Sequence, residues 1–216
     1  MAITENKYAE FLSARNQIQW IERYLYELNA LLPQELPEHA NSLGQPAMAV
    51  APHFFMMLAD LLLDQAALGV ARLLDAPEQG SKKNPKVNLS METVINACGW
   101  LDAKKKETHI QKLKEIKNTP EAKAVSQVRN TPLAHGDYDT VIDYKGWAQR
   151  HREKLAESDK TWPEVVGAVA LKLVDLLDEC RPCGEPVLVH PRYDKNWKGV
   201  AVVLEHLVVG EDGGRL

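Results

Sequence analysis

The segment VRNTPLAHGDYD, residues 128–139, carries the side chains of this sequence best suited to chemistry. It places Arg129 and Asn130 before Pro132, and His135 after it. A helix cannot continue unbent through a proline, because the ring removes a hydrogen-bond donor and clashes with the preceding turn. On a straight helix Arg129 and His135 would point about 240° apart. We therefore expect a break at Pro132 to let His135 turn back toward Arg129.

An Arg beside a His suits the cleavage of RNA, which supplies its own nucleophile as the ribose 2′-OH. Imidazole titrates near neutral pH, so His135 can take the 2′-OH proton or donate one to the leaving 5′-oxygen. The Arg129 guanidinium can hold the phosphate by two parallel hydrogen bonds and stabilise its developing charge. Asn130 can orient the His or bond a phosphate oxygen. This chemistry requires no metal ion and no other cofactor.

The same segment also fits a purely structural interpretation. Arg and His side chains at a helix C-terminus often bond the last carbonyls and offset the helix dipole. His135, Gly136 and Asp137 could form a plain turn in which the Asp bonds its own backbone. Asp137 belongs with Asp139 and Asp143 to an acidic group that could bind magnesium, but turn and cap roles are more common for such residues. Their charge would also repel RNA.

Composition limits the classes of protein that this sequence can represent. The 216 residues are 45% hydrophobic, enough for one domain to bury a core without disulfides or metals. A net charge of -4 argues against a protein that coats nucleic acid but permits a local basic site. Three cysteines and an N-terminus without a signal-peptide pattern predict a cytoplasmic protein. The apolar stretch 53–74 carries Asp60, Asp64 and Arg72, so no membrane contact is expected.

Hydrophobic periodicity predicts a chain dominated by helices. Ser90 and Asp102 are expected N-caps, and Pro120 is expected at the first position of a helix. Residues 77–88, rich in Lys, Gly and Pro, are predicted to form a loop. The runs EPVLVH and GVAVVLEHLVV predict a C-terminal β-hairpin or a pair of short strands. The predicted helices cover residues 4–32, 47–75, 91–98, 103–118, 120–131, 145–157 (weakly) and 162–180.

Two further groups of residues could bind ligands. Cys180 and Cys183 form a CxxC with His190 nearby, but a zinc site needs a fourth ligand, so a helix C-terminus that runs into a turn is the favoured interpretation. The second group is lysines that could either guide phosphates or form a solvated face, and we favour the solvated face. These lysines are Lys82, Lys83, Lys86, Lys104, Lys105, Lys106, Lys112, Lys114 and Lys117.

Arg129-Asn130, four further residues and His135 resemble the R-x(4–6)-H motif of HEPN domains. The flanking Leu133-Ala134-His135-Gly136-Asp137 is similar to the setting of this motif in the abortive-infection, AbiU-type branch. The apolar helix that ends in VARLLD, residues 70–75, and the short helix that opens with Leu89-Ser90-Met91 match the layout of that branch. The resemblance covers roughly residues 50–145 and at most extends to the helix that ends at 180.

The resemblance implies an all-α, antiparallel helical bundle (HEPN-like), which we expect to span residues 1–183. The C-terminal strand patterns, which the resemblance does not cover, predict that 184–216 is a small strand-rich extension packed on the bundle. It implies a homodimer with facing motifs and a metal-independent RNase of phage defence or toxin–antitoxin systems. Arg129, Asn130 and His135 would be its catalytic residues, RNA its substrate, and an antitoxin or regulatory protein its partner. Pro132 departs from the usual motif. Two alternatives therefore stay open: a catalytically inactive dimerisation or partner-binding module, or an unrelated helical protein with a chance motif.

Overall fold

Helices make up most of the chain that the structure describes. The computed structural model describes residues 5–31, 51–81, 84–128 and 160–185. The mostly helical architecture confirms the predicted all-α class. The predicted helix at 145–157 and the C-terminal strands, which follow Glu185, lie outside the described residues. The helices are α1 (Glu5–Leu31), α2 (Pro52–Leu74), α3 (Met91–Ala97), α4 (Ala103–Asn118), α5 (Pro120–Val128) and α6 (Trp162–Glu179).

The chain divides into two compact units. Unit 1 contains Met1–Ile21 and Ala67–Leu188, and unit 2 contains Glu22–Ala66 and Val189–Leu216. The division falls within α1 and α2, so each of these helices contributes residues to both units. The domain boundary expected between residues 183 and 184 stays a prediction.

The core of unit 1 is built mainly on α6. This helix contacts α4 and α5, and α3 contacts α4. Spacing of three or four residues in the sequence predicts that Val165, Val169, Leu173, Leu176 and Leu177 form the buried face of α6. All five are buried, which confirms the prediction. The other helices add further buried side chains to unit 1: Phe11, Ile18 and Ile21 on α1, Met91, Val94 and Ile95 on α3, Leu113 on α4, and Ala122 and Val125 on α5.

A glycine lets α1 and α2 approach closely within unit 1. A Cβ on Gly69 of α2 would lie 2.7 Å from Cγ1 of Ile21 on α1. Nε2 of Gln17 donates a hydrogen bond of 3.0 Å to the Gly69 carbonyl oxygen. Any larger residue at position 69 would therefore have to displace buried apolar atoms of α1.

Side chains fix the start of three helices, among them the two N-caps that the sequence predicts, Ser90 and Asp102. Ser90 Oγ accepts from the backbone N–H of Thr93, and Asp102 Oδ1 accepts from that of Lys105 at 2.8 Å. Thr161 and Glu164 form a reciprocal capping box at the start of α6. Each of these bonds satisfies a backbone donor that the first helical turn leaves without a partner.

Residues 78–81 and 84–87 form a pair of strands where the sequence predicted a loop. Strand β1 (Glu78–Ser81) pairs antiparallel with β2 (Asn84–Val87), with Gly80 opposite Pro85. The strands lack the alternating β-branched and aromatic residues that usually identify strands, so the pattern could not reveal them. A proline is tolerated because each strand of a two-stranded ribbon has a free edge.

Among the described residues of unit 2, Leu28, Phe55 and Ala59 form a buried apolar cluster. In the sequence, the apolar residues of α2 cover a broad face, which predicts a central helix, yet Phe54 and Leu61 are each 54% exposed. At these two positions the prediction is wrong, because periodicity identifies an apolar face but not which part of it is covered. By length and apolarity residues 53–74 would also suit a membrane span, but the core helix of a soluble protein passes the same test.

Candidate functional site

The three predicted catalytic residues lie outside the described part of the chain. Arg129, Asn130 and His135, together with Pro132, fall in the segment between Val128 and Lys160. The structure therefore does not test whether Arg129 and His135 come together. It does describe the elements on which this segment begins and ends, namely α5 and the start of α6.

Thr119 sets the start of α5, the helix that leads to Arg129. Its hydroxyl donates to the Ile116 carbonyl at 2.7 Å and accepts from the backbone N–H of Ala122 at 3.3 Å. Thr119 therefore ends α4 and begins α5 through one side chain. Pro120 follows at the first helical position, where its fixed φ and missing N–H cost nothing. The two helices are joined by a single residue, which leaves little freedom in the direction of α5.

Packing and an ion pair hold α5 in place. Ala122 and Val125 are fully buried, and α5 contacts both α4 and α6. Nζ of Lys160, just before α6, lies 2.6 Å from Oε1 of Glu121 in the first turn of α5. The hydrogen bond from Lys160 lowers the pKa of Glu121, and a backbone hydrogen bond contributes. The described chain thus ends at Val128, the last residue of α5, and resumes at Lys160, which contacts the first turn of the same helix.

Several of the lysines that could have guided a phosphate chain form hydrogen bonds or ion pairs within the protein instead. Lys106 Nζ donates to the Asn96 carbonyl, and Lys112 Nζ lies 2.6 Å from Oε2 of Glu179. Lys117 Nζ lies 3.3 Å from the Asp75 carbonyl and 3.5 Å from a Glu92 carboxylate oxygen. The exposed basic side chains left on α4 are Lys104, Lys105 and Lys114. This favours a mostly structural, solvated role for the lysine-rich face.

A shallow groove of about 310 Å³ lies between α4 and α6. Lys112 and Lys172 line it together with three carboxylates, Glu115, Asp175 and Glu179. The mixed charge gives the groove no preference for a polyanion such as RNA. It is therefore a poor candidate for the substrate site.

His109 on α4 is a buried polar residue that the sequence did not single out. Its Nδ1 lies 3.3 Å from Oε2 of Glu179, although the geometry is not that of a hydrogen bond, and Nδ1 has no other partner in the described structure. The sequence could have predicted its burial. His109 stands four residues before the apolar Leu113, so the two side chains lie on the same face of α4, and both are buried.

The turn after α6 contains the CxxC residues but does not gather metal ligands. Cys180 is buried at the end of α6, whereas Cys183 is exposed. Gly184 has φ +92°, which confirms the predicted turn. Within residues 5–31, 51–81, 84–128 and 160–185, no three His, Cys, Asp or Glu side chains are close enough to share a metal ion. The acidic residues 137, 139 and 143 lie outside these ranges.

A helical core and an Arg129-x5-His135 motif placed after a packed helix are the features of a HEPN domain. The HEPN family model described as AbiU2 matches residues 13–170, well over half of the chain, and this match includes the motif. Searches of curated proteins and of solved structures found no match. The chain belongs to the AbiU2 family of HEPN proteins. The match begins in α1, so it extends further toward the N-terminus than the resemblance read from the sequence, which began near residue 50.

Proposed function

We propose that this protein is a metal-independent endoribonuclease of the HEPN type. One observation carries the proposal: the family match runs continuously through Arg129, Asn130 and His135 and through the helices on both sides of them. We also propose that it works as a homodimer in the cytoplasm, without membrane association. In that role it would serve phage defence or a toxin–antitoxin pair, with an antitoxin or regulatory protein as its partner.

The proposed reaction needs only the chain and the RNA. His135 removes the proton from a ribose 2′-OH, and the resulting oxygen attacks the adjacent phosphorus. Arg129 holds the non-bridging phosphate oxygens as negative charge builds on them, and Asn130 orients the imidazole. The bond to the 5′-oxygen breaks, and a protonated imidazole supplies its proton. The products are a 2′,3′-cyclic phosphate and a 5′-hydroxyl. Two facing motifs in a homodimer would supply the base and the acid from two different His135 residues.

A second candidate function is a catalytically inactive module for dimerisation or partner binding. The observation that favours it is an apolar stripe on α2 in unit 2, made by Phe54, Met57 and Leu61. These side chains are 54%, 63% and 54% exposed, and the spacing places them along one side of the helix. Exposed large apolar groups grouped in this way often mark a protein–protein contact.

The test is cleavage of RNA in excess EDTA by the wild type and by His135→Ala, Arg129→Ala and Asn130→Ala. We expect wild-type cleavage to persist, and the His135 and Arg129 variants to lose at least about a hundredfold in rate. Asn130→Ala should lose less. Added imidazole should partly restore His135→Ala. Arg72→Ala removes an exposed arginine from α2 and serves as the matched control.

The alternative is tested separately through the α2 stripe. Leu61→Asp should change the oligomeric state or abolish partner capture, whereas Gln65→Asp adds the same charge at an exposed neighbouring position and should not. If varied RNAs stay intact with every protein while Leu61→Asp alone disrupts assembly, the endoribonuclease is rejected in favour of the binding module.

A further inference from the structure

The outward face of α5, made by Lys123, Ser126 and Gln127, carries a single charge, which is positive. These three side chains are exposed, and their spacing of three and four residues places them on the same side of the helix. Ala122 and Val125 occupy the opposite side and are fully buried. The side that faces solvent therefore presents an ammonium group, a hydroxyl and a carboxamide, all of which can donate hydrogen bonds to phosphate oxygens.

The ammonium group of Lys123 is not engaged by the part of the chain that the structure describes. Within residues 5–31, 51–81, 84–128 and 160–185 it forms no hydrogen bond and no ion pair. Neighbouring lysines differ in this respect, since Lys112 is paired with Glu179 and Lys160 with Glu121. Because no described group neutralises Lys123, its charge can attract an external anion.

The acidic residue of α5 does not cancel this charge. Glu121 stands two residues before Lys123, so the two side chains do not face each other on the helix. Its Oε1 lies 2.6 Å from Lys160 Nζ. The hydrogen bond from Lys160 lowers the pKa of Glu121, a backbone hydrogen bond adds to this effect, and the charge of Lys172 contributes. Glu121 is therefore already neutralised by lysines beside it, and the outward face of α5 stays cationic.

The exposed side of α4 provides a contrast, because its charges are mixed. Lys104, Glu107, Gln111 and Glu115 are all exposed, and their spacing places them along one side of the helix. Nε2 of Gln111 donates a hydrogen bond of 3.2 Å to Oε1 of Glu115. A surface that mixes acidic and basic groups attracts a polyanion weakly. The outward face of α5 has a cation and no acidic residue, so it complements the charge of a nucleic-acid backbone.

We propose that the outward face of α5 binds the sugar–phosphate backbone of RNA, and that Lys123 contacts a phosphate next to the one that is cleaved. The inference rests on the proposed function, because α5 ends at Val128 and Arg129 is the next residue. At ~1.5 Å per residue, Lys123 lies about 8 Å along the helix axis from Val128. A contact of this kind fixes the position of the strand without reading its sequence. Lys123 is thus a positioning residue and takes no part in bond breaking.

The test measures the binding of a fluorescently labelled, single-stranded RNA to the full-length protein over a series of salt concentrations. His135→Ala serves as the parent protein, so that the RNA stays intact during the measurement. It is compared with the same protein carrying Lys123→Gln or Lys123→Arg. The matched control adds Lys114→Gln to the parent, because Lys114 is exposed on α4 and its substitution removes the same charge.

Lys123→Gln should weaken binding by about three- to tenfold, equally for RNAs of different sequence, and should reduce the salt dependence of log Kd by about 0.7 per log unit of salt. Lys123→Arg should keep the affinity and the salt dependence of the parent, because it retains the charge. Lys114→Gln should change neither quantity. A purely structural role for Lys123 would leave the salt dependence unaltered.

The inference is overturned if Lys123→Gln binds with the affinity and salt dependence of the parent, or if Lys114→Gln weakens binding as much. Cleavage in excess EDTA by proteins that retain His135 separates this inference from the proposed function. Cleavage by the wild type, with binding that does not depend on Lys123, rejects the inference alone. Binding that depends on Lys123, without cleavage by the wild type, rejects the endoribonuclease alone. A protein that neither binds nor cleaves RNA rejects both.

Discussion

Lys160 and Glu121 form an ion pair, with Nζ 2.6 Å from Oε1, that links the chain just before α6 to the first turn of α5. These two residues lie on opposite sides of the segment that carries Arg129 and His135. The described chain stops at Val128, at the end of α5, and resumes at Lys160 beside the start of that helix. The ion pair thereby fixes the point at which the described chain resumes after the Arg129–His135 motif.

Replacing Glu121 with Gln should destabilise the fold slightly at neutral pH and not at acidic pH. Lys160 lowers the pKa of Glu121 below its ordinary value of 4.5, so the stabilisation is present above that pH and is lost as the pH falls through the folded pKa. Lys160 is 45% exposed, so we expect a loss of only about 0.5 kcal/mol at pH 7. Urea unfolding at pH 7 and near pH 3 measures it; a deficit that persists in acid would contradict this origin.

Removing the N-cap of α4 should cost about 1 kcal/mol. In the wild type the backbone N–H of Lys105 donates to Asp102 Oδ1 at 2.8 Å, and Asp102→Ala removes this acceptor. Asp102→Asn keeps an acceptor oxygen and should retain most of the stability. Thermal or urea unfolding of the two variants separates the cap hydrogen bond from general effects of substitution. Equal losses in both variants would show that charge, not the hydrogen bond, is responsible.

Gly69→Ala should destabilise unit 1 by about 1–3 kcal/mol through overpacking. The new methyl group would lie 2.7 Å from Cγ1 and 3.0 Å from Cδ1 of Ile21, which is buried. Truncating that neighbour tests the cause, because the penalty should shrink strongly in an Ile21→Ala background. A penalty that is the same in both backgrounds would place its origin elsewhere than in this contact.

Asp64→Asn should stabilise the protein at neutral pH, by less than about 1 kcal/mol. Burial raises the pKa of Asp64, and the charge of Asp60 adds to this. The folded state therefore binds the proton more tightly, so stability is greatest in acid and declines as the pH rises through the folded pKa. The gain should vanish below the ordinary value of 3.8. Asp60→Asn removes only the smaller cause and should give a smaller gain in the same unfolding assay.

Local signals predicted the helices well. The sequence predicted the caps at Ser90 and Asp102, because each side chain accepts from the backbone N–H three residues later. It also predicted the helix start at Pro120, because proline has no N–H that would need a partner there. The paired strands at 78–81 and 84–87 were missed, since backbone pairing rather than side-chain pattern defines them. The exposure of Phe54 was also missed, because periodicity identifies an apolar face but not whether anything covers it.

The candidate site was predicted from residue type and spacing and stays a prediction, and the family match spans its residues. Its geometry depends on contacts across a proline, which spacing cannot determine. The turn after α6 shows the same limit from the opposite direction. Spacing drew attention to Cys180 and Cys183 as a pair, whereas the structure buries the first and exposes the second.

The most direct measurement is single-turnover cleavage, in excess EDTA, of an RNA that the protein cuts. The comparison is the same RNA with one 2′-deoxynucleotide on the 5′ side of the scissile phosphate. The account predicts that wild-type protein leaves a 2′,3′-cyclic phosphate and a 5′-hydroxyl on the all-RNA strand. It also predicts that cleavage at the substituted position stops, and that His135→Ala cleaves neither strand. Cleavage at the 2′-deoxy position, or a 5′-phosphate product, would contradict a reaction that uses the 2′-OH as nucleophile.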